Sequence, residues 1–568
     1  MRIGRASAVS RNSGCRYANG CWDIRLPLYQ MYDHALAVRT GACMRVRIRR
    51  SLLTVIGLAV LLTALINLRG EAQQTGVSAP GIHARPPRRL LVRNGMVIYG
   101  NARPPAGPLD VVVENGIITF VGAQGRRPGG ADAEIDATGK YIMPGIVNTH
   151  MHWHEERQPG MPQPIQYERN LYLAAGVTTA REVGGDFEKS KRWQAESNAH
   201  SIVSPRILVY PVVSNGRFGG PDEIRAWIRD MKRQGADGLK IVAVDRDQLE
   251  TILDEAHALG LRTTAHIGVE ETTAADYIEL GVSSIEHFYG IADAALDRVQ
   301  TFPPDMNYND EVHRFARAGE LWEQADRGKL SGVVDMMVAK KVGWSPTLSI
   351  YEASRDVVRA QNLPWFKDYL HPSLEAFFRP SRDNHGSYFL GWTTTQEAHW
   401  KKQYRIWMDV LHEFGRKGGL ITTGDDAGYI YSIYGFGIAR ELELHEEAGF
   451  EPLEVIEHAT WNGARMLGLD DRLGKVREGF TADLLVVNGN PLENLRLLNP
   501  DGADVMLING RPVSNYTPAA PTDRVQVARG GGIEWTIKDG IPYHVPTLMG
   551  EVREMVAQAR NRTRTTTP

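Results

Sequence analysis

Cysteine is scarce in this sequence: Cys15, Cys21 and Cys43 are the only three, and all precede the single long apolar run at 52–68. A chain cleaved after that run would contain none, which excludes disulfide bonds, thiolate nucleophiles and thiolate metal ligands. An excess of positive charge is also missing. Residues 1–72 carry 11 Lys and Arg against 3 Asp and Glu, which leaves 54 against 64 and a net charge of −10 for the remainder. This acidic body argues against nucleic-acid binding.

A basic segment stands directly before the apolar run. Residues 44–50 read MRVRIRR, and the run at 52–68 is followed by the small residues Gly70 and Ala72. This order predicts an export signal within residues 1–72 and a periplasmic or secreted protein. The run is long for a cleaved signal peptide and short for a membrane span, so an uncleaved signal acting as a membrane anchor is the alternative. Met44 offers a second start site, and we expect no role for the residues upstream of it.

Short alternating strands with glycine turns occupy both flanks of a long central region. Residues 88–143 read as antiparallel hairpins, and a similar pattern returns in 470–545. We therefore expect one small β-sandwich domain built from both flanks. Residues 144–469 alternate apolar segments with amphipathic helices, which predicts an α/β fold of the (β/α)8 TIM-barrel type. A C-terminal helix and tail should occupy 546–568.

Eight barrel strands are predicted in the central region. Most intervals between them have the length of one β/α unit. Two longer intervals, 290–340 and 350–415, are rich in Trp, Tyr, His and charge, and we expect them on the active-site side of the barrel. The predicted strands are 145–150, 177–182, 206–213, 238–244, 262–267, 283–288, 342–348 and 420–426.

The first candidate chemistry lies in the segment THMHWH at 149–154. His150 and His152 are two residues apart on a strand, so their side chains project to the same side. At the carboxyl end of a barrel strand, two such imidazoles can bind one metal ion. A surface loop with several histidines is the alternative interpretation of the same letters.

Further candidates end later strands. Lys240 lies between apolar residues, either as a strand-end lysine that reaches water or as a neutral amine that captures CO2 as a carbamate. His266 and His287 each stand where a strand pattern stops. Asp425 and Asp426 follow the last predicted strand, and because adjacent residues face opposite ways, at most one should point into a shared site. The mouth of the barrel is the place where all these groups would meet.

These motifs resemble the amidohydrolase superfamily, in the branch that contains imidazolonepropionase-like and prolidase-like enzymes. The segment PGIVNTHMH at 144–152 is similar to the entry motif of the family, with Asn148 in place of the usual aspartate. GVTTAREVGG at 176–185 and the long segment at 457–494 resemble two further family signatures, with coverage from about 90 to 513. The segment at 210–221 lacks the Gly-Gly-His pattern of many relatives, which puts substrate recognition there in doubt.

The resemblance implies a binuclear metal centre. His150, His152 and Asp426 would hold the more buried ion, and His266 and His287 the more exposed one. A carboxylated Lys240, formed with CO2, would bridge them. Nitrogen and oxygen donors favour zinc, with manganese, cobalt and iron as alternatives. Asp426 would act as the catalytic residue, taking a proton from a metal-bridging hydroxide and passing it to the leaving amine.

The function expected from these features is that of an exported metal-dependent hydrolase that cleaves an amide or peptide C–N bond, in a prolidase-like substrate or an N-acyl amino acid. Lactone, ester or phosphotriester hydrolysis is an alternative on the same barrel, and a non-catalytic metal-binding or scaffold protein is an alternative of another class. Tyr289, Arg181 and Arg217 are the candidate substrate-binding residues. The expected partner is a small molecule or short peptide, and the sequence is compatible with a homo-oligomer.

Overall fold

The computed structural model describes a single stretch of chain with short gaps. The predicted export signal and all three cysteines lie outside the described residues. No helix in the described ranges is long and apolar enough to cross a membrane. The structure describes residues 79–566 apart from 124–125, 127–128, 215, 269–271, 298–306, 308–309, 510 and 514–517.

The central region contains two parallel sheets whose strands follow one another in chain order, a three-stranded sheet and then a five-stranded sheet. Seven of the eight predicted strands are present, and their ends agree with the prediction to within three residues. The bounds are Ile146–Met151, Val177–Glu182 and Arg206–Val209 in the first sheet, and Val212–Ser214, Gly238–Val242, Arg262–His266, Ser284–Glu286 and Gly343–Ser345 in the second.

The third predicted strand divides between the two sheets. Its first part, Arg206–Val209, pairs with Val177–Glu182, and its second part, Val212–Ser214, pairs with Gly238–Val242. Pro211 lies between the two parts and has no N–H to donate, which accounts for a break in the ladder at this point. One continuous segment of chain therefore joins the two sheets.

The eighth predicted strand, 420–426, does not form a regular strand. Ile421 makes an isolated parallel bridge to Trp344, and the Thr149 N–H donates to the Thr423 carbonyl at 2.9 Å. The segment changes partner after Thr422: two backbone hydrogen bonds link it to Trp344, and three more link it to 149–150, so it contacts the outer strands of both sheets. The predicted order of barrel strands is confirmed, but the described residues do not form one closed sheet.

Helices alternate with these strands. Pro221–Arg233 shows why such a segment folds as a helix: Pro221 occupies its first turn, acidic residues start it and basic residues end it, and Ile224, Ile228 and Met231 form one buried face. The helices of this kind are Ile165–Ala174, Phe187–Asn198, Pro221–Arg233, Arg246–Ala258, Ala274–Glu279, Arg327–Lys340, Thr394–Arg416, Phe436–Glu447, Pro452–Glu457 and Gly463–Leu467.

The two long intervals contribute additional helices. Their aromatic side chains pack together above the strand ends: the rings of Phe315 and Tyr388 stack with centroids 3.9 Å apart, and Trp400 stacks 6.4 Å from Tyr351. The additional helices are Glu311–Gln324, Leu348–Arg355, Val357–Gln361, Phe366–Tyr369 and Pro372–Phe377.

The two flanks of the chain meet in one eight-stranded sheet. Alternate residues of its strand Leu484–Asn488 face different cores. Leu484 and Val486 pack in a small core with Val92, whereas Leu485 and Val487 pack in the large core of the central region. The sheet comprises Arg89–Val97, Ala106–Glu114, Ile117–Gly122, Ala133–Asp136, Tyr141–Pro144, Leu484–Asn488, Gly532–Lys538 and Ile541–His544.

Smaller elements complete the fold. The C-terminal helix runs to Thr566, so it is longer than the tail-like sequence at its end suggested, and Asn170 donates to its Glu551 at 2.7 Å. These elements are the hairpin Glu156–Gln158 and Met161–Pro162, the antiparallel sheet of Ala503–Ile508, Arg511–Val513 and Val525–Gly530, and the helix Val545–Thr566.

A buried charge cluster joins the central region to the eight-stranded sheet. Arg206 Nη1 lies 2.6 Å from Asp483 Oδ2, and the same guanidinium contacts Asp539. The Asp483 side chain is only 4% exposed, so Arg206 is the cation that compensates a charge held away from water.

We predict that Arg206→Met lowers the free energy of unfolding by about 3–5 kcal/mol, because Asp483 is then buried without its cation. Chemical denaturation followed by tryptophan fluorescence measures the change. Arg93→Met is the matched control, since it removes a pair with Asp136 in which both side chains are about half exposed, and should change stability by less than about 1 kcal/mol. Equal effects of the two substitutions would contradict this role for Arg206.

Candidate metal centre

His150 and His152 come together with Asp426 at the end of the first central strand. The two Nε2 atoms lie 3.2 Å apart. Asp426 Oδ1 is 3.4 Å from Nε2 of His150 and 3.1 Å from Nε2 of His152. The two-residue spacing of the histidines therefore places both imidazoles and one carboxylate oxygen around a common point, as a metal ion requires.

His287 reaches the same point through an unusual backbone conformation. It follows Glu286, whose side chain points into the barrel, so on a regular strand His287 would face away. Its φ of 59° is in the left-handed region, and so is the φ of 45° at Asp426. His287 Nε2 lies 4.0 Å from Asp426 Oδ2. Strained residues of this kind cost about 1–3 kcal/mol each and cluster at functional sites.

The remaining predicted ligands line the same cavity. His266 ends its strand and pairs in register with Val242, which lies two residues after Lys240 on the neighbouring strand. The ring centroid of His266 lies 4.8 Å from that of His287. Lys240 Nζ contacts the Glu286 carboxylate. All six predicted ligands contribute to one cavity of about 330 Å³.

Glu286 and Thr347 orient the ligands from behind. Glu286 Oε1 lies 3.2 Å from His150 Nδ1 and 3.1 Å from Arg181 Nη2. The Thr347 hydroxyl lies 2.6 Å from His287 Nδ1, which leaves Nε2 of His287 facing the cavity. Hydrogen bonds such as that of Thr347 fix the ring orientation of metal-binding histidines, and Glu286 places a carboxylate within ion-pair distance of His150. Sequence reasoning did not assign a role to Glu286, although its place directly before a strand-end histidine was a usable signal.

The electrostatics of the cluster suit a bound cation. Burial lowers the pKa of His150 and of His152 to about 4, and it lowers the pKa of His287 well below its usual value. These imidazoles are therefore neutral at pH 7, the form that binds metals. Burial opposes ionisation of Asp426, but the adjacent His150 and His152 hold its pKa well below the ordinary range. Neutral imidazoles with a carboxylate form a nitrogen and oxygen donor set that fits a zinc-type ion.

Burial favours the uncharged form of the Lys240 amine, whereas the adjacent Glu286 carboxylate favours the charged form. The Lys240 side chain is 4% exposed, and burial lowers its pKa well below the usual value. The strand-end interpretation, in which the amine reaches water, does not agree with this burial.

Asp425 faces away from the cavity. Its Oδ1 accepts a hydrogen bond from Asn148 Nδ2 at 2.8 Å and another from the Tyr172 hydroxyl at 3.4 Å. Burial raises the pKa of Asp425 to about 7. Asp426 is therefore the member of the pair that reaches the metal centre, and Asn148, at the usual aspartate position of the family, binds Asp425.

The three predicted substrate-binding residues lie in different places. Tyr289 lines the cavity, and its hydroxyl is 3.0 Å from that of Tyr351. Arg181 is buried behind the site, where it donates to the Thr149 carbonyl and to Glu286. Arg217 is exposed and donates to the Val212 carbonyl at 2.6 Å. Neither arginine is among the described residues that line the cavity, so the structure gives no support to substrate contact for them.

The cavity walls come largely from the segments outside the strands. Sequence composition indicated that the long intervals would cover the site, but it did not indicate which side chains would face inward, because that depends on how the added helices pack. The wall residues that sequence reasoning did not identify include Arg314, Phe315, Ile350, Tyr351, His385, Tyr388 and Tyr429.

The profile of the amidohydrolase family matches residues 141–513. The chain belongs to the amidohydrolase family. The predicted family is therefore confirmed. Among curated proteins, human dihydropyrimidinase-related protein 5 is 43% identical over 67 residues, which cover 12% of this chain and 11% of that protein. The similarity to such relatives thus spans only a small part of their length.

Solved structures of amidohydrolases share the fold over most of the chain. A Xaa-Pro dipeptidase with bound methionine has a TM-score of 0.55 at 19% identity, covering 80% of this chain and 100% of that chain. Bottromycin amidohydrolase has a TM-score of 0.58 at 17% identity, covering 84% and 92%. At these identities the likeness shows the fold alone.

We predict that Glu286→Gln weakens metal binding about 10–100-fold, because His150 loses the carboxylate that orients its ring. Titration of zinc against a fluorescent chelator measures the affinity. The control is Glu352→Gln, since Glu352 is also a buried carboxylate but pairs with Arg440 at 2.7 Å and lies outside the cavity lining. Its zinc affinity should equal that of the wild type. An unchanged affinity in Glu286→Gln would show that Glu286 does not support the metal ligands.

Proposed function

We propose that this amidohydrolase is an exported, metal-dependent enzyme that cleaves an amide or peptide C–N bond, in a dipeptide or an N-acyl amino acid. The observation that carries the proposal is the convergence of six metal-binding side chains on one cavity whose walls are aromatic. A cavity of about 330 Å³ suits a small substrate. The basic segment, apolar run and small residues within 44–72 support export.

We propose that the donor atoms serve two neighbouring ions, with Asp426 close to histidines of both groups. His150, His152 and Asp426 would hold the more buried ion, and His266 and His287 the more exposed one. We propose that a carbamate on Lys240 would bridge them. Lys240 lines the cavity and lies on the strand next to that of His266, two residues before Val242, the residue that pairs with His266. Two divalent ions, with zinc as the first candidate, would polarise the scissile carbonyl and supply a nucleophilic water at neutral pH.

The protein side chains perform the proton transfers and positioning. Asp426 is ionised and lies against both His150 and His152, so it can accept the proton of the attacking water and return it to the leaving nitrogen. Tyr289 lines the cavity with its hydroxyl 3.0 Å from that of Tyr351, and it could help to position the substrate. Tyr351 and Tyr429 close the walls and reduce access of bulk water.

The proposed reaction is tested with purified protein of measured metal content and a panel of substrates: Xaa-Pro dipeptides, N-acetyl amino acids, an aryl ester, a lactone and a phosphotriester. Turnover of the dipeptides or N-acetyl amino acids at rates above those of the other classes would support the proposal. Preferential lactone, ester or phosphotriester turnover would replace the proposed bond class. Two bound metals without turnover of any panel member would favour the scaffold alternative.

We predict that Asp426→Asn lowers kcat about 10²–10⁴-fold on any amide that the wild type cleaves, because the amide side chain cannot accept the proton. Steady-state kinetics measure the loss. Asp425→Asn is the matched control, since Asp425 faces Asn148 and Tyr172. This substitution should reduce kcat by less than about tenfold. Near-wild-type activity of Asp426→Asn would remove Asp426 from the proton-transfer role.

We predict that Lys240→Ala reduces the metal content from about two ions per chain to about one, because the bridging ligand is lost. Elemental analysis by mass spectrometry after dialysis measures the occupancy. Added acetate or propionate should restore the second ion by taking the place of the carbamate. Retention of two ions without added acid would contradict the proposed bridge.

A further inference from the structure

Among the described residues that line the cavity there is one arginine, Arg314, in addition to the candidate metal ligands. Arg314 lies on the helix Glu311–Gln324, is half-buried, and lines the cavity next to Phe315. Asp426 is the only carboxylate among the described residues of the lining, and it belongs to the metal centre. This helix therefore places a positive charge in the cavity wall, and the described lining contains no acidic residue besides Asp426 to pair with it.

Glu311, on the same helix as Arg314, forms its hydrogen bonds with other groups. Glu311 contacts the His385 imidazole and accepts a hydrogen bond from the Gly386 N–H at 2.9 Å. In the described part of the chain, no carboxylate forms an ion pair with the Arg314 side chain, whose guanidinium carbon lies 5.7 Å from the Phe315 ring centroid. The five N–H donors of an arginine in a sheltered site call for an anionic partner.

Arg314 and the candidate metal ligand His266 line the same cavity of about 330 Å³, so one small ligand could contact both. Tyr289 lines this cavity too, with its ring centroid 4.5 Å from that of His266 and 6.1 Å from that of Phe315, the residue that follows Arg314. A ligand bound at His266 would thus extend along Tyr289 toward Arg314.

We infer that Arg314 binds the carboxylate of the substrate, so that the substrates are N-acyl amino acids or short peptides with a free carboxylate next to the scissile amide. This inference rests on the proposed function and specifies its substrate class. A planar guanidinium can bind a carboxylate through two parallel hydrogen bonds, which fixes the orientation as well as the charge of the ligand. The side chain of the substrate would then contact Phe315 and Tyr388, which are both largely buried aromatic residues of the cavity wall.

The inference is tested first by binding, with two probes that contain no hydrolysable bond. Calorimetric titration of the metal-loaded protein compares 3-phenylpropionate with 3-phenylpropan-1-ol, which has the same apolar part and no charge. The acid should bind the wild type about tenfold or more tightly than the alcohol. Arg314→Met should abolish this preference, and Arg314→Lys should keep part of it. Arg405→Met, which removes an exposed arginine from the neighbouring helix Thr394–Arg416, should behave as the wild type.

Equal binding of the two probes by the wild type would overturn the inference. Retention of the preference in Arg314→Met would overturn it too, because the carboxylate would then be bound elsewhere, for example by the metals. A preference that depends on Arg314, together with no turnover of any amide in the panel, would support the anion site while rejecting the proposed reaction. If an N-acetyl amino acid is cleaved, Arg314→Met should raise its KM about tenfold or more with kcat changed by less than about threefold.

Discussion

The parallel strands of the central region end side by side, and the side chains that follow them share one space largely closed to water. His150 and His287 are each about 1% exposed, and Asp426 only 13%. Burying several imidazoles and a carboxylate together is unfavourable unless each polar atom has a partner. A bound cation is such a partner for all of them at once. The buried imidazoles and the Asp426 carboxylate must all find polar partners in one place. This requirement explains why neighbouring residues orient their side chains.

The orientation depends on residues that never reach the cavity. Thr347, itself in the left-handed region with a φ of 49°, holds His287 Nδ1. The two N–H groups that follow it, those of Leu348 and Ser349, donate to Glu441 at 2.9 and 2.7 Å. Glu441 therefore fixes the start of the helix Leu348–Arg355, and through Thr347 it fixes the ring of His287. The strained backbone at His287 is thus stabilised by the buried Glu441 carboxylate, which acts through Thr347.

The layers around the barrel have separate roles. The eight-stranded sheet covers one part of the central core and is joined to it by Arg206, Asp483 and Asp539, so it contributes stability and no cavity residue among those described. The added helices contribute the aromatic wall and Arg314. The residues that shape the cavity wall and the residues that could bind metal therefore lie on different elements.

The sequence by itself determined the family, through the resemblance of its motifs. It also determined the order of the strands and the polar residues that line the cavity, because these depend on local spacing: two histidines two residues apart, and single polar groups where apolar strands stop. It also predicted that only one of Asp425 and Asp426 could face the site. It could not place Arg181, which has the same strand-end position as a ligand but turns inward to Glu286, nor could it identify Arg314. Only the tertiary structure decided these points, and it also decided where the ladder breaks, at Pro211 and in 420–426. The physical reason is that side-chain direction at a strand end depends on a single backbone dihedral, and the wall of a cavity depends on the packing of helices distant in sequence, neither of which has a local pattern.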